Sequence, residues 1–148
     1  VFITFIYGNV YHIPTDLNHN EAFVLHTEVY ILADRMCMTD LRILAFNMVK
    51  QGVKEGGLGF DYIGSAVEYI YENTPDRDED EPGGVVTIEP GSTQAIRMLL
   101  VKLCCYNLEE LMDRKLLPKA LRRHGELAVD MLRRLKDLEK ADIDYDKN

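Results

Sequence analysis

In the stretch Glu21-Ala22-Phe23-Val24-Leu25-His26-Thr27-Glu28-Val29-Tyr30-Ile31-Leu32-Ala33-Asp34-Arg35-Met36, apolar residues recur at Leu25, Val29, Leu32, Ala33 and Met36. That spacing is i, i+4, i+7, i+8 and i+11, the signature of one buried helical face. A second helix is expected directly after it, with Thr39 as N-cap, Leu41, Leu44, Ala45 and Met48 inward, and Gly52 as its stop. So short a turn between two helices predicts an antiparallel hairpin. His26 and Tyr30, four apart on the first helix, are expected to touch as a packing or hydrogen-bonded pair.

Upstream, Val1-Phe2-Ile3-Thr4-Phe5-Ile6-Tyr7 suits either a buried strand or the last turns of a buried helix ended by Gly8. The chain starts without Met and already apolar, so it is expected to be a piece of a larger folded unit. Tyr11 to Asn20, with Pro14, Asp16 and Asn18, reads as a loop. Downstream, Gly52 to Gly59 holds four glycines and predicts a hinge between a front part, 1–51, and a helical back part, 60–138. In the back part, Asp61 caps a helix carrying Ile63, Val67, Ile70 and Tyr71, which Asn73-Thr74-Pro75 ends. The run Asp76 to Gly84 carries five carboxylates and no core-forming side chain, and predicts a surface loop. Ser92 caps a helix with Ile96, Leu99, Leu100, Leu103 and Cys104 inward. A short segment follows at Leu108 to Met112. Pro118 then opens a last helix through Leu138, weakened at Gly125, and 139–148 is expected to be a flexible tail. The fold class expected from these patterns is mainly α.

Composition narrows the function. Hydrophobic residues are 47% and charged residues 28% of 148, the balance of an ordinary globular domain. Twenty-five acidic against 17 basic residues give a net charge of −8, which repels phosphate backbones and anionic lipid. Neither nucleic acid nor membrane is an expected partner. Three cysteines, two of them adjacent, make no disulfide framework, and no signal peptide or span of about 18 apolar residues is seen, so a cytoplasmic or nuclear location is expected.

The candidate ligands His12, His19, His26, Cys37, Cys104, Cys105 and His124 fit no zinc spacing, so the histidines are expected on loops or helix ends and the thiols in the core. Adjacent Cys104 and Cys105 lack the Cys-x-x-Cys spacing of a redox pair. The glycines of 52–59 precede no Gly-Lys-Ser/Thr, so no phosphate loop is expected. Asp76, Asp78 and Asp80 begin a calcium-loop spacing that Pro82 breaks. No cofactor or metal is expected. Lys119, Arg122, Arg123, Arg133, Arg134 and Lys136 form one basic cluster, with Glu126, Asp130 and Asp137 interleaved so as to neutralise much of it.

The segment His26-Thr27-Glu28-Val29-Tyr30-Ile31-Leu32-Ala33-Asp34-Arg35, followed by Leu41 and Leu44-Ala45, resembles the helix pair that closes fungal BTB/POZ domains. Phe2, Phe5, Ile6, Tyr7, Gly8 and Tyr11 resemble the aromatic helix and turn just before that pair. Ala66 to Pro75, and Gly125 to Leu132, resemble the helices that follow it. Met36 and Cys37 depart from the aromatic and polar residues usual at that helix end.

The resemblance implies the C-terminal helices of an α+β BTB/POZ domain over 1–51, then a small helical extension. His26, Val29, Tyr30, Leu32, Ala33, Asp34, Leu41, Leu44 and Ala45 would be its signature core. It implies a non-enzymatic protein-interaction adaptor whose partners include a cullin scaffold of a ubiquitin ligase and a second copy. The dimer surface and much of the cullin surface would belong to the part of such a domain that precedes Val1. Without that part, the front end is expected to self-associate. The rival reading is a small metal- or thiol-dependent enzyme, which would gather polar groups in a pocket.

Overall fold

A computed structural model describes residues 10–76, 89 and 91–146. The opening run Val1 to Gly8 and nearly all of the acidic stretch lie outside the described residues. Within them the chain is mainly helical, with no strand. The helices are α1 (His19–Arg35), α2 (Thr39–Glu55), α3 (Phe60–Asn73), α4 (Thr93–Tyr106), α5 (Leu108–Asp113), α6 (Leu116–Arg123) and α7 (Gly125–Asp146).

Asn18 starts α1 with a capping box: its Oδ1 accepts from the Glu21 amide at 2.9 Å, and its own amide donates to Glu21 Oε2 at 3.1 Å. The buried face differs from the expected one. Phe23, His26, Thr27, Val29, Tyr30, Ile31 and Ala33 are buried, whereas Leu32 is 42% and Met36 59% exposed. The cause is that α1 packs against both α2 and α3, so its buried arc is wide and turned away from Leu32.

Thr39 is the first residue of α2 and not its cap, since Met38 holds the cap position without a side-chain bond. Gly52 does not stop α2 either. It is buried inside the helix, where an added Cβ would come within 3.0 Å of Phe23, and the helix ends at Gly56 with φ +73°. A small residue at 52 therefore sets how closely α2 approaches α1.

The two sides of the glycine-rich link share one hydrophobic core. Helix α3 lies at its centre, against α1, α4 and α6, while α2 reaches α4. Gly59, not Asp61, occupies the cap position of α3, and its amide donates to Asn20 Oδ1 at 2.8 Å. Ser92 caps α4 as expected, accepting from the Ala95 amide at 3.1 Å.

The single last helix expected from Pro118 to Leu138 is two helices. His124 is extended (φ −129°, ψ 90°) between them, Pro118 lies in the first turn of α6, and Gly125 opens α7 instead of interrupting it. Helix α7 continues past Leu138 to Asp146. Among the described residues, no helix is long and apolar enough to cross a membrane.

Candidate functional site

The hairpin of α1 and α2 carries the residues singled out from the sequence. Val29, Tyr30, Ala33, Leu41 and Ala45 are buried in the hydrophobic core, and Leu44 is half-buried against it. Leu32 does not belong to it. Asp34 is on the rim, where its carboxylate accepts from Arg42 at 2.8 Å.

His26 and Tyr30 do not hydrogen-bond each other; each ring bonds to a different segment. His26 sits mid-helix and buried, not at a helix end, and its Nδ1 shares a 2.6 Å hydrogen bond with the Tyr11 hydroxyl. Tyr30 is fully buried and donates to the Gly91 carbonyl at 2.8 Å, which ties α1 to the entry of α4. Burial pushes both phenols well above their ordinary range, so both remain protonated.

Burial also lowers the pKa of His26, because a charged imidazole is poorly solvated there. The unfolded chain takes up this proton near pH 6.5, the folded chain only at lower pH. Protons are then bound more tightly by the unfolded state, so stability is present above about pH 6.5 and falls as pH drops toward the folded value. Urea titrations on both sides of pH 6 are expected to show this loss, and His26→Gln is expected to lack that share of it. Equal pH dependence in the two proteins would refute the assignment.

Beside His26 is a cleft of about 160 Å³ lined by His19, Phe23, His26, Met48, Gln51 and Glu55, among others. Its rim is already internally bonded. His19 Nε2 donates to the Gly56 carbonyl at 3.0 Å, His19 Nδ1 lies 3.6 Å from Glu55, and Glu55 accepts from Gln51 at 3.0 Å.

A second polar cluster, around Arg97, is one the sequence reading missed. Arg97 is 1% exposed. Its Nε donates to Thr74 Oγ1 at 2.7 Å, and a terminal nitrogen donates to the Thr74 carbonyl at 2.8 Å. Among the described residues its one carboxylate partner is Asp76, at 3.3 Å and largely exposed. The guanidinium also lies 4.3 Å over the ring of Tyr71, whose hydroxyl donates to Asp130 Oδ2 at 2.6 Å. The His124 ring stands 6.3 Å from that of Tyr71. These contacts bind the end of α3 to α4 and α7. The one available signal was a lone charge in the run Ala95-Ile96-Arg97-Met98-Leu99-Leu100.

The cysteines separate by burial. Cys37 is exposed in the turn after α1, at φ +53°, while burial pushes the Cys104 thiol up to about 12 and also raises that of Cys105. Among the described residues, no group of three or more His, Cys, Asp or Glu side chains could hold a metal ion.

Comparison of the chain with protein-family models, with curated proteins and with solved structures gives no match.

Proposed function

We propose that this chain is a non-enzymatic protein-interaction module of the BTB/POZ kind, serving as an adaptor for a cullin-type ubiquitin-ligase scaffold. The observation that carries the interaction reading is the orientation of α1. Polar His26, Thr27 and Tyr30 are turned inward and satisfied, while apolar Leu32 and Met36, one turn apart, stay at the surface. Exposed neighbours of this kind at i and i+4 on a helix suit the groove of a partner protein. The cullin assignment rests on the sequence resemblance alone.

The rival thiol-enzyme reading is disfavoured by chemistry. A nucleophilic cysteine needs a lowered pKa, and Cys104 is shifted the opposite way by burial. Buried Arg97 and Asp130 each make hydrogen bonds that join helices.

Calorimetric titration of the protein with a purified cullin N-terminal domain tests the proposal. Saturable binding is expected, with the Leu32→Glu/Met36→Glu double variant binding at least about tenfold more weakly at unchanged melting temperature. No binding by the wild-type protein removes the cullin, and undiminished binding by the variant removes the α1 ridge.

A further inference from the structure

We infer that the outward face of α6, with Lys115 at its entry, docks a short acidic segment of a partner protein. The inference stands on the charge of α6 and is independent of the adaptor reading.

The sequence of α6, Leu116-Leu117-Pro118-Lys119-Ala120-Leu121-Arg122-Arg123, holds three basic residues and no acidic one. Leu117 and Ala120 are buried, and Leu116 and Leu121 pack against the core, so the leucines and the alanine occupy one side. Lys119, Arg122 and Arg123, at i, i+3 and i+4, share the other side and are exposed. Lys115, exposed at the cap position, adds a fourth charge. From Lys115 to Arg123 the strip is roughly 12 Å long.

The sequence alone places these cations in one cluster with Arg133, Arg134 and Lys136, neutralised by Glu126, Asp130 and Asp137. The fold divides that cluster. Extended His124 separates α6 from α7, and all three acids lie on α7, where Asp130 is turned into the bond with Tyr71. Arg123 lies 3.8 Å from both Glu68 and Glu72. Among the described residues, Lys115, Lys119 and Arg122 make no ion pair. Three exposed like charges so close together repel one another, and carboxylates from outside the fold would relieve that repulsion.

The size of the strip selects the partner. Exposed Asp113 lies two residues before Lys115, and Glu72 stands beside Arg123 at the far end. These carboxylates limit the footprint to a few anionic groups. A nucleic acid or an anionic bilayer extends well beyond the strip and would meet them and the rest of a chain whose net charge is −8. An extended peptide advances about 3.3 Å per residue, so three or four acidic residues match the strip. The planar fork of Arg122 suits one of their carboxylates.

Fluorescence anisotropy of a labelled octapeptide of alternating glutamate and serine, titrated with the full chain at low salt, tests this. Saturable binding that salt weakens is expected. Lys119→Gln/Arg122→Gln is expected to bind about tenfold or more weakly at unchanged melting temperature. Lys115→Gly is expected to weaken binding without lowering the melting temperature, because Lys115 holds φ +60°, a conformation glycine adopts freely. Arg133→Gln/Lys136→Gln removes as much charge from α7 and is expected to change affinity by less than about twofold, which separates a docking strip from general attraction. No binding by the parent, equal losses in the α6 and α7 variants, or tighter binding of a single-stranded oligonucleotide or of mixed phosphatidylcholine and phosphatidylserine vesicles overturns the inference. Binding that appears only after Asp78→Asn/Glu79→Gln/Asp80→Asn/Glu81→Gln assigns the strip to the chain's own acidic run and overturns it as well.

Discussion

Replacing Arg97 with methionine is expected to lower the unfolding free energy by about 3 kcal/mol in urea titrations at neutral pH, with the m-value unchanged. Two effects compete at this site. Methionine fills much of the same volume and removes the desolvation cost of a charge that is 1% exposed, which by itself would stabilise the fold. Against this, the carbonyls of Tyr71 and Thr74 at the end of α3 lose the donor that now serves them, at 3.5 and 2.8 Å. The Arg97 bond to Thr74 Oγ1 and the contact over Tyr71 go as well. A buried acceptor left unsatisfied costs about 1–3 kcal/mol, and two such groups outweigh the relief. Lysine should rescue only partly, because a point charge cannot serve Nε and terminal-nitrogen acceptors together. Asp76→Asn should matter little, since Asp76 is 68% exposed and solvent screens the pair. An Arg97→Met protein within about 1 kcal/mol of wild type would mean that the cluster fills space and does not fasten α3 to α4.

Gly91→Ala is expected to cost a similar amount, about 3 kcal/mol, for an unrelated reason. Gly91 has φ +76°, and a Cβ there would come within 3.0 Å of Ile43 Cγ1 and 3.3 Å of its Cα. The first contact could relax by a rotation of Ile43; the second involves the backbone of α2 and cannot relax without moving the helix. The same shift would pull the Gly91 carbonyl from the hydroxyl of fully buried Tyr30, now 2.8 Å away. Gly125→Ala provides the contrast, because nothing lies within 4 Å of its added Cβ and it starts a helix. That substitution should be neutral or slightly stabilising. Thermal melts of the two variants measure the difference. A Gly91→Ala protein as stable as Gly125→Ala would show that the approach of α4 to α2 is loose.

Much of the fold was legible in local pattern. The periodicity of Val29, Ala33, Leu41 and Ala45 located two helices and the inner side of each, because burial against a neighbour repeats every 3.6 residues whatever that neighbour is. Ser92 was readable as a cap because its bond closes within three residues. Leu32 was misplaced since a helix with neighbours on two sides buries a wider arc, and periodicity does not reveal how many neighbours there are. Gly52 was read as a stop because glycine is a poor helix former; only the approach of Phe23, 29 positions earlier, explains its place inside α2.

The polar site was less legible. His26 and Tyr30 stood out in the sequence, but their partners Tyr11 and Gly91 are 15 and 61 positions away. Arg97 went unnoticed because a charge beside apolar residues on a helix ordinarily points to water. Its burial depends on the carbonyls at the end of α3 and on the ring of Tyr71, groups that converge only when α3, α4 and α7 meet.

What the sequence determined by itself is thus the helical class, the hairpin of the first two helices and the position of one cap, all set by interactions within a few residues. The tertiary structure alone decided which residues of α1 stay outside, why Gly52 and Gly91 must be small, and that Arg97, Tyr71 and Asp130 form one buried cluster. The physical reason is range: backbone propensity and capping act within a helical turn, whereas desolvation of a charge and contact between distant helices exist only once the core has closed.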